Sequence, residues 1–172
     1  MCAPAGVYFS GDHTVAVWLT VTSFSAWTRI IDFGNGPAVD NLFISISNSL
    51  TNSPTTAMYN FVSLNPFLTS NTTLQANAWT HLVHTYSAGV CRIYLNALLT
   101  AQGPCVAPRN INRPFCYVGK SNWVADPFLN GQLDELRIYN RSLNESEINL
   151  LMAYVPTGFT IYLHLNRHLF LF

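Results

Sequence analysis

Residues His13–Val21, HTVAVWLTV, place Val15, Val17, Leu19 and Val21 at alternate positions, with Thr14, Ala16, Trp18 and Thr20 between them. Successive side chains of a strand point to opposite faces, so the stretch predicts a β-strand with one buried face. Outward from it, 28–33 (TRIIDF) runs into Gly34-Asn35-Gly36-Pro37, and 41–47 (NLFISIS) sets Leu42, Ile44 and Ile46 opposite Phe43, Ser45 and Ser47. That pair predicts a hairpin. Further strand-like runs at 57–62, 79–86, 91–95, 98–101, 115–119 and 132–139 are separated by Asn, Gly, Pro and Ser clusters. About nine short strands with apolar faces predict an all-β fold, a two-sheet antiparallel sandwich of the jelly-roll type.

One segment departs from the period of two. Asn144-Glu145-Ser146-Glu147 ahead of Ile148, Leu150 and Leu151 has the N-cap and N3 Glu of a capping box, and predicts one short helix reaching about residue 154. The final stretch, 158–172 (GFTIYLHLNRHLFLF), is apolar but interrupted by His164, Asn166, Arg167 and His168. As a helix it would cover about 22 Å against a hydrocarbon core of roughly 30 Å, so no membrane span is expected. It is either a last strand or an extension outside the domain.

Composition narrows the function classes. The chain has 172 residues, enough for one core, with only 9% charged residues and a formal net charge of zero. No basic field exists to hold a phosphate backbone, so nucleic acid is not an expected partner. Aromatic residues reach 13%, which suits a β-protein better than a helical bundle. The start, MCAPAGVYFSGD, lacks both the positive and the apolar region of a signal peptide. Three N-glycosylation patterns, at Asn71-Thr72-Thr73, Asn140-Arg141-Ser142 and Asn144-Glu145-Ser146, would be usable only in a secretory lumen; at Asn144 helix capping competes for the same side chain. Cys2, Cys91, Cys105 and Cys116 lack metal-ligand spacing. A pairing among the last three, with Cys2 free, is set against four buried thiols.

Several blocks in order carry a family resemblance: 27–36 (WTRIIDFGNG), 40–43 (DNLF), 79–83 (WTHLV), 93–96 (IYLN), and above all 131–143 (GQLDELRIYNRSL). Over roughly 7–154 the chain resembles laminin-G-like (concanavalin A-like) jelly-roll domains. The domain is set at 7–155 and the apolar tail at 156–172. Two departures stand out. Asn96 is followed by Ala97 where the family hairpin has Asn-Gly, which implies strain or another turn type. Only MCAPAGVYF precedes Gly11-Asp12, which leaves room for the family's opening strand to be missing and for the chain to be part of a longer protein.

The resemblance raises glycoside hydrolysis, which in its retaining form needs two carboxyl groups about 5 Å apart. Asp134 and Glu135, adjacent on a strand, face opposite ways, and the spaced E-x-D-x-E pattern of the related glucanases is absent. No catalytic residue is expected. His81 and His84 likewise face opposite sides, which disfavours a shared metal. Within the closing block, Glu135 and Arg137 at alternate positions can pair on one face. The resemblance also implies a Ca²⁺ site at the sandwich edge, with Asp12 and Asp134 as ligands, although Asp12 could equally cap a turn. Asn122, Trp123 and Asp126 (SNWVADPF) lie in a loop after a strand. A flat indole beside short polar groups suits sugar recognition; Trp123 could equally anchor its own loop. The expectation is a non-enzymatic module that binds a glycan or an extracellular protein. The alternative is a purely structural or protein-interaction domain of a larger extracellular protein.

Overall fold

The computed structural model describes residues 1–49, 51–59, 67–154, 162–165 and 168–171. In chain order the strands are β1 (Cys2–Ala3), β2 (His13–Val21), β3 (Arg29–Gly34), β4 (Leu42–Ser45), β5 (Thr55–Met58), β6 (Leu68–Thr69), β7 (Thr80–Ser87), β8 (Val90–Leu95), β9 (Leu98–Pro104), β10 (Phe115–Val118) and β11 (Gly131–Tyr139). Helix α1 (Glu145–Met152) follows, then a hairpin of β12 (Tyr162–Leu165) and β13 (His168–Leu171). One antiparallel sheet has the order β1-β10-β3-β4-β5-β6 and the other β11-β2-β7-β8-β9. This is the expected jelly-roll sandwich with one short helix. Residues 60–62 of the expected strand at 57–62, and 155–161, 166–167 and 172 of the tail region, lie outside the described residues.

The alternation within β2 decides what lies between the sheets. Val15, Val17, Leu19 and Val21 join Ile31, Phe33, Leu42, Ile44 and Leu82 in the main core. The outward residues of the second sheet find a separate cover: Ala16, Val83 and Tyr94 pack with Leu143 and Ile148 of the α1 segment. Helix α1 stands where its capping box places it. Asn144 Oδ1 accepts from Glu147 N at 3.0 Å, and Glu147 Oε2 accepts from Asn144 N at 2.9 Å.

The closing strand β11 departs from simple alternation. Strict alternation from Leu133 would turn Glu135 and Arg137 into the core. A bulge between Asp134 and Arg137, with Glu135 at φ 52°, inserts one residue and returns Leu136 and Ile138 to the interior. Asp134 Oδ1 accepts from the Glu135 N–H at 2.8 Å, and Arg137 Nε donates to Glu135 at 2.9 Å. The Asp-Glu-x-Arg sequence is therefore bulge chemistry, and the expected Glu135–Arg137 pair is present.

The short strands β1 and β6 have two residues each, too few for alternation to reveal. Strand β1 pairs with β10, and Gly6 bridges Arg113, so residues ahead of position 7 belong to the first sheet, earlier than the boundary expected from sequence. Cys91 and Cys105 form a disulfide across the β8–β9 pair, while Cys2 and Cys116 are free. The link closes a sequence separation of 14, which in the chain-entropy picture stabilises by about 3 kcal/mol.

The Asn96-Ala97 turn keeps the geometry of an Asn-Gly hairpin. Both residues are left-handed, at φ 49° and 62°, and the Asn96 side chain accepts from His81 N at 2.9 Å. Only glycine adopts that conformation without cost. Ala97→Gly is expected to stabilise the fold by about 1 kcal/mol, raising Tm by roughly 2–4 °C; a calorimetric melt showing no rise or a fall would contradict the turn assignment.

Three histidines set the acid limit of the fold. His13 and His84 lie on the core side, rings 5.4 Å apart and fully buried, while His81 packs against Trp18 on the opposite face. Both His84 ring nitrogens lack partners. Burial lowers His13 and His81 to about 4 and pushes His84 well below its ordinary value. A depressed histidine contributes stability that is complete above the unfolded value near 6.5 and is lost as pH falls toward the folded one. His13 alone should cost on the order of 3 kcal/mol by pH 4. Urea midpoints measured from pH 7.5 to 4.5 should fall steadily, and His84→Leu should flatten that slope by close to one proton.

Candidate functional site

Helix α1 packs on the outer face of the second sheet, and among the described residues no helix lies on the outer face of the first. There, inward Ile31, Phe33, Leu42 and Ile44 turn their neighbours Asp32 and Phe43 away from the core, and register sets these two opposite each other. Asp32 is fully buried despite facing outward, because the loop after β10 folds over it. Asn122 donates to it from N and Nδ2, both at 2.9 Å, and Asn41 Nδ2 donates at 2.8 Å. Burial raises the Asp32 carboxyl from its ordinary value, while these donors and the Arg29 guanidinium oppose the rise.

The anchored loop carries Trp123 and Asp126. Ser121 donates to Asp126 Oδ2 at 2.7 Å and accepts from Trp123 N at 3.1 Å. The result is a cleft of about 200 Å³ lined by Trp27, Arg29, Phe43, Tyr59, Phe67, Trp123 and Asp126. Phe43 is the common neighbour: its ring centroid lies 6.0 Å from Trp123, 6.1 Å from Tyr59 and 6.2 Å from Phe67. Trp27 meets Phe67 at 5.3 Å and Tyr59 meets Trp123 at 5.8 Å. Arg29 lays its guanidinium over Phe43 at 3.9 Å. Its Nη2 reaches Asp126 Oδ2 at 3.2 Å, and its Nη1 donates to the Trp27 carbonyl at 2.7 Å. That last bond depends on a left-handed Trp27, φ 60°, an unusual conformation for a bulky residue and one that tends to occur at functional sites. Burial lowers the Arg29 guanidinium from its ordinary value, with Asp32 and Asp126 opposing.

The sequence-based candidates therefore separate. Trp123 and Asp126 enter the cleft together. Asn122 does not: it is buried, with its amide spent on Asp32, and it holds the loop instead of facing a ligand. Trp27, Arg29, Phe43, Tyr59 and Phe67 were not singled out from sequence. Trp27, Arg29 and Phe43 left a trace there only as members of the blocks 27–36 and 40–43, Phe43 also as a large apolar residue on the strand face otherwise occupied by Ser45 and Ser47.

The Asp12 and Asp134 pairing expected for Ca²⁺ does not assemble. Asp134 pairs with Trp18 in register, whereas Asp12 precedes His13 at the other end of β2, a separation of about 20 Å at strand rise. Asp12 accepts from Ser87 Oγ at 2.6 Å and Ala88 N at 3.3 Å; Asp134 is buried at the bulge. Two carboxylates this far apart cannot share an ion that wants six to eight oxygens, and among the described residues no three His, Cys, Asp or Glu side chains gather for a metal.

A second groove, about 390 Å³, lies at the β9 edge of the other sheet, between exposed Trp79, Leu98 and Leu99 and polar Thr72, Gln75 and Asn96. Among the described residues no helix is long and apolar enough to cross a membrane.

Solved structures share this architecture. Domain 4 of AbnA, a GH43 extracellular arabinanase from Geobacillus stearothermophilus solved in complex with arabinotriose, aligns at TM-score 0.67 and 22% identity over 88% of this chain and 71% of that one. The SAP-like pentraxin of Limulus polyphemus aligns at 0.65 and 12% identity, over 88% and 73%. The binding domain of Paraclostridial Mosquitocidal Protein 1 aligns at 0.61 and 20% identity over 86% of this chain but only 38% of that one. Likeness at these identities establishes the fold. No curated protein matches the chain. The family model of the concanavalin A-like lectin/glucanases superfamily matches residues 2–149, the span of both packed sheets and the start of the capped helix, and the chain belongs to that superfamily.

Proposed function

We propose that this chain is a non-catalytic carbohydrate-binding module that works outside the cell and seats its sugar in the cleft over Phe43. The observation that carries the reading is the convergence of five aromatic rings on one Arg29–Asp126 pair. Aromatic faces stack on the apolar face of a sugar ring, while a carboxylate and a guanidinium at the edge take and give hydroxyl hydrogen bonds. The arabinotriose bound to the arabinanase domain and the Cys91–Cys105 disulfide support a secreted, sugar-binding role. A catalytic role is disfavoured because hydrolysis needs two carboxyl groups facing the sugar. Asp126 is partly exposed, but Asp32 has no exposure and is spent on its donors.

A second reading, contact with an extracellular protein, draws on the same loop, where Val124 is 100% and Phe128 71% exposed. A glycan array separates the two. Saturable binding is expected, falling at least tenfold (about 1.4 kcal/mol) in Trp123→Ala and in Phe67→Ala, with Trp79→Ala in the second groove as a folded control. Binding lost only in Trp79→Ala would move the site to the other groove. An array without hits would leave the protein-contact reading.

A further inference from the structure

The charges in the cleft bear on which sugars it admits. Among the described residues Arg29 is the only cation lining the cleft, and its charge is met by two carboxylates. Nη1 is held by the Trp27 carbonyl, Nη2 by Asp126, and Nε faces Asp32 at 3.6 Å. One flat face of the guanidinium rests on Phe43, and the whole residue is 3% exposed. Two carboxylates thus meet one guanidinium, and the charged group left at the surface of the cleft is the carboxylate of Asp126, with 17% of its side chain exposed. An incoming carboxylate, sulfate or phosphate would meet that charge before reaching Arg29. Like charges brought together during desolvation discriminate strongly. Lys120 does not compensate, because it is held over the Tyr117 ring at 4.3 Å on β10, two strands across from Phe43 on β4.

A cation fares no better. The place between aromatic rings where an ammonium group would sit is taken by Arg29 itself, 3.9 Å from the Phe43 centroid, 5.3 Å from Trp123 and 5.8 Å from Trp27. Size adds a third constraint. At about 200 Å³ the cleft falls below the roughly 300–1,000 Å³ of pockets for drug-sized ligands, which suits one ring and not a buried oligosaccharide.

Resting on the carbohydrate reading above, we infer that the cleft selects a single uncharged sugar residue and rejects sialic acid, uronic acid and sulfated sugars through Asp126. In this arrangement Asp126 is both an acceptor for sugar hydroxyls and the group that excludes anions, while Arg29 holds it in place and stays covered.

The test uses matched pairs: N-acetyllactosamine against its sialylated and sulfated forms, and xylo-oligosaccharide with and without glucuronic acid. Each is titrated into the full chain at about 150 mM salt, where charges more than about 8 Å apart are screened, together with the array hits and their acidic derivatives. The expected result is neutral members binding at least tenfold tighter than their acidic partners. Asp126→Asn should shift the acidic-to-neutral affinity ratio toward the acidic sugars, since it removes the repulsion. Acidic members binding as tightly as neutral ones in the unmodified chain would overturn the selectivity while leaving carbohydrate binding intact. Binding of neither would remove the carbohydrate reading and this inference with it.

Discussion

Asp32 is a carboxylate with no solvent exposure on the side of a sheet that faces away from the core. Moving such a charge out of water costs several kcal/mol unless donors replace the lost hydration. Here they come from Asn41 just ahead of β4 and Asn122 in the loop after β10, and Arg29 at the head of β3 adds an opposite charge at 3.6 Å. The requirement to satisfy one buried group therefore ties the loop to the sheet. That tie sets Trp123 and Asp126 above Phe43, and through Asp126 it orients Arg29. The cleft is a consequence of how a buried charge is satisfied.

The two outer faces of the sandwich are treated differently. On the second sheet, Ala16, Val83 and Tyr94 are covered by α1, a helix whose start is fixed by its own capping box. On the first sheet no helix among the described residues plays that part, and aromatic side chains from β4 and the neighbouring loops meet one another instead. The superfamily supplies the sandwich, and likeness in fold alone does not name a ligand.

Much of the fold was legible in the sequence because its signals are local. The period of two in β2 gave that strand its observed bounds, and Asn144 with Glu147 announced the helix start. The disulfide joins two of the three cysteines from which a pair was expected. Where local signals mislead, the cause is also local. The β11 bulge lets Leu133, Leu136 and Ile138 all face inward, which strict alternation forbids, and the two-residue β1 and β6 are too short to show a pattern.

The site was less legible because it is made by strand order. Trp123 and Asp126 could be suspected from an indole and an acid in a polar loop. Their partners Trp27, Arg29 and Phe43 are distant in the chain and meet them only because β10 pairs with β3 and β3 with β4. In the other sheet the β11–β2 register set Asp134 beside Trp18, six residues along from Asp12, and the fold of the loop over β3 turned Asn122 inward. What neighbours along the chain encode was readable from them: the longer strands, the buried face of β2 and β4, and the start of the helix. Tertiary structure alone decided which outward faces would meet, because a residue's partners across a sheet follow from strand order and register, and neither is encoded in any single strand.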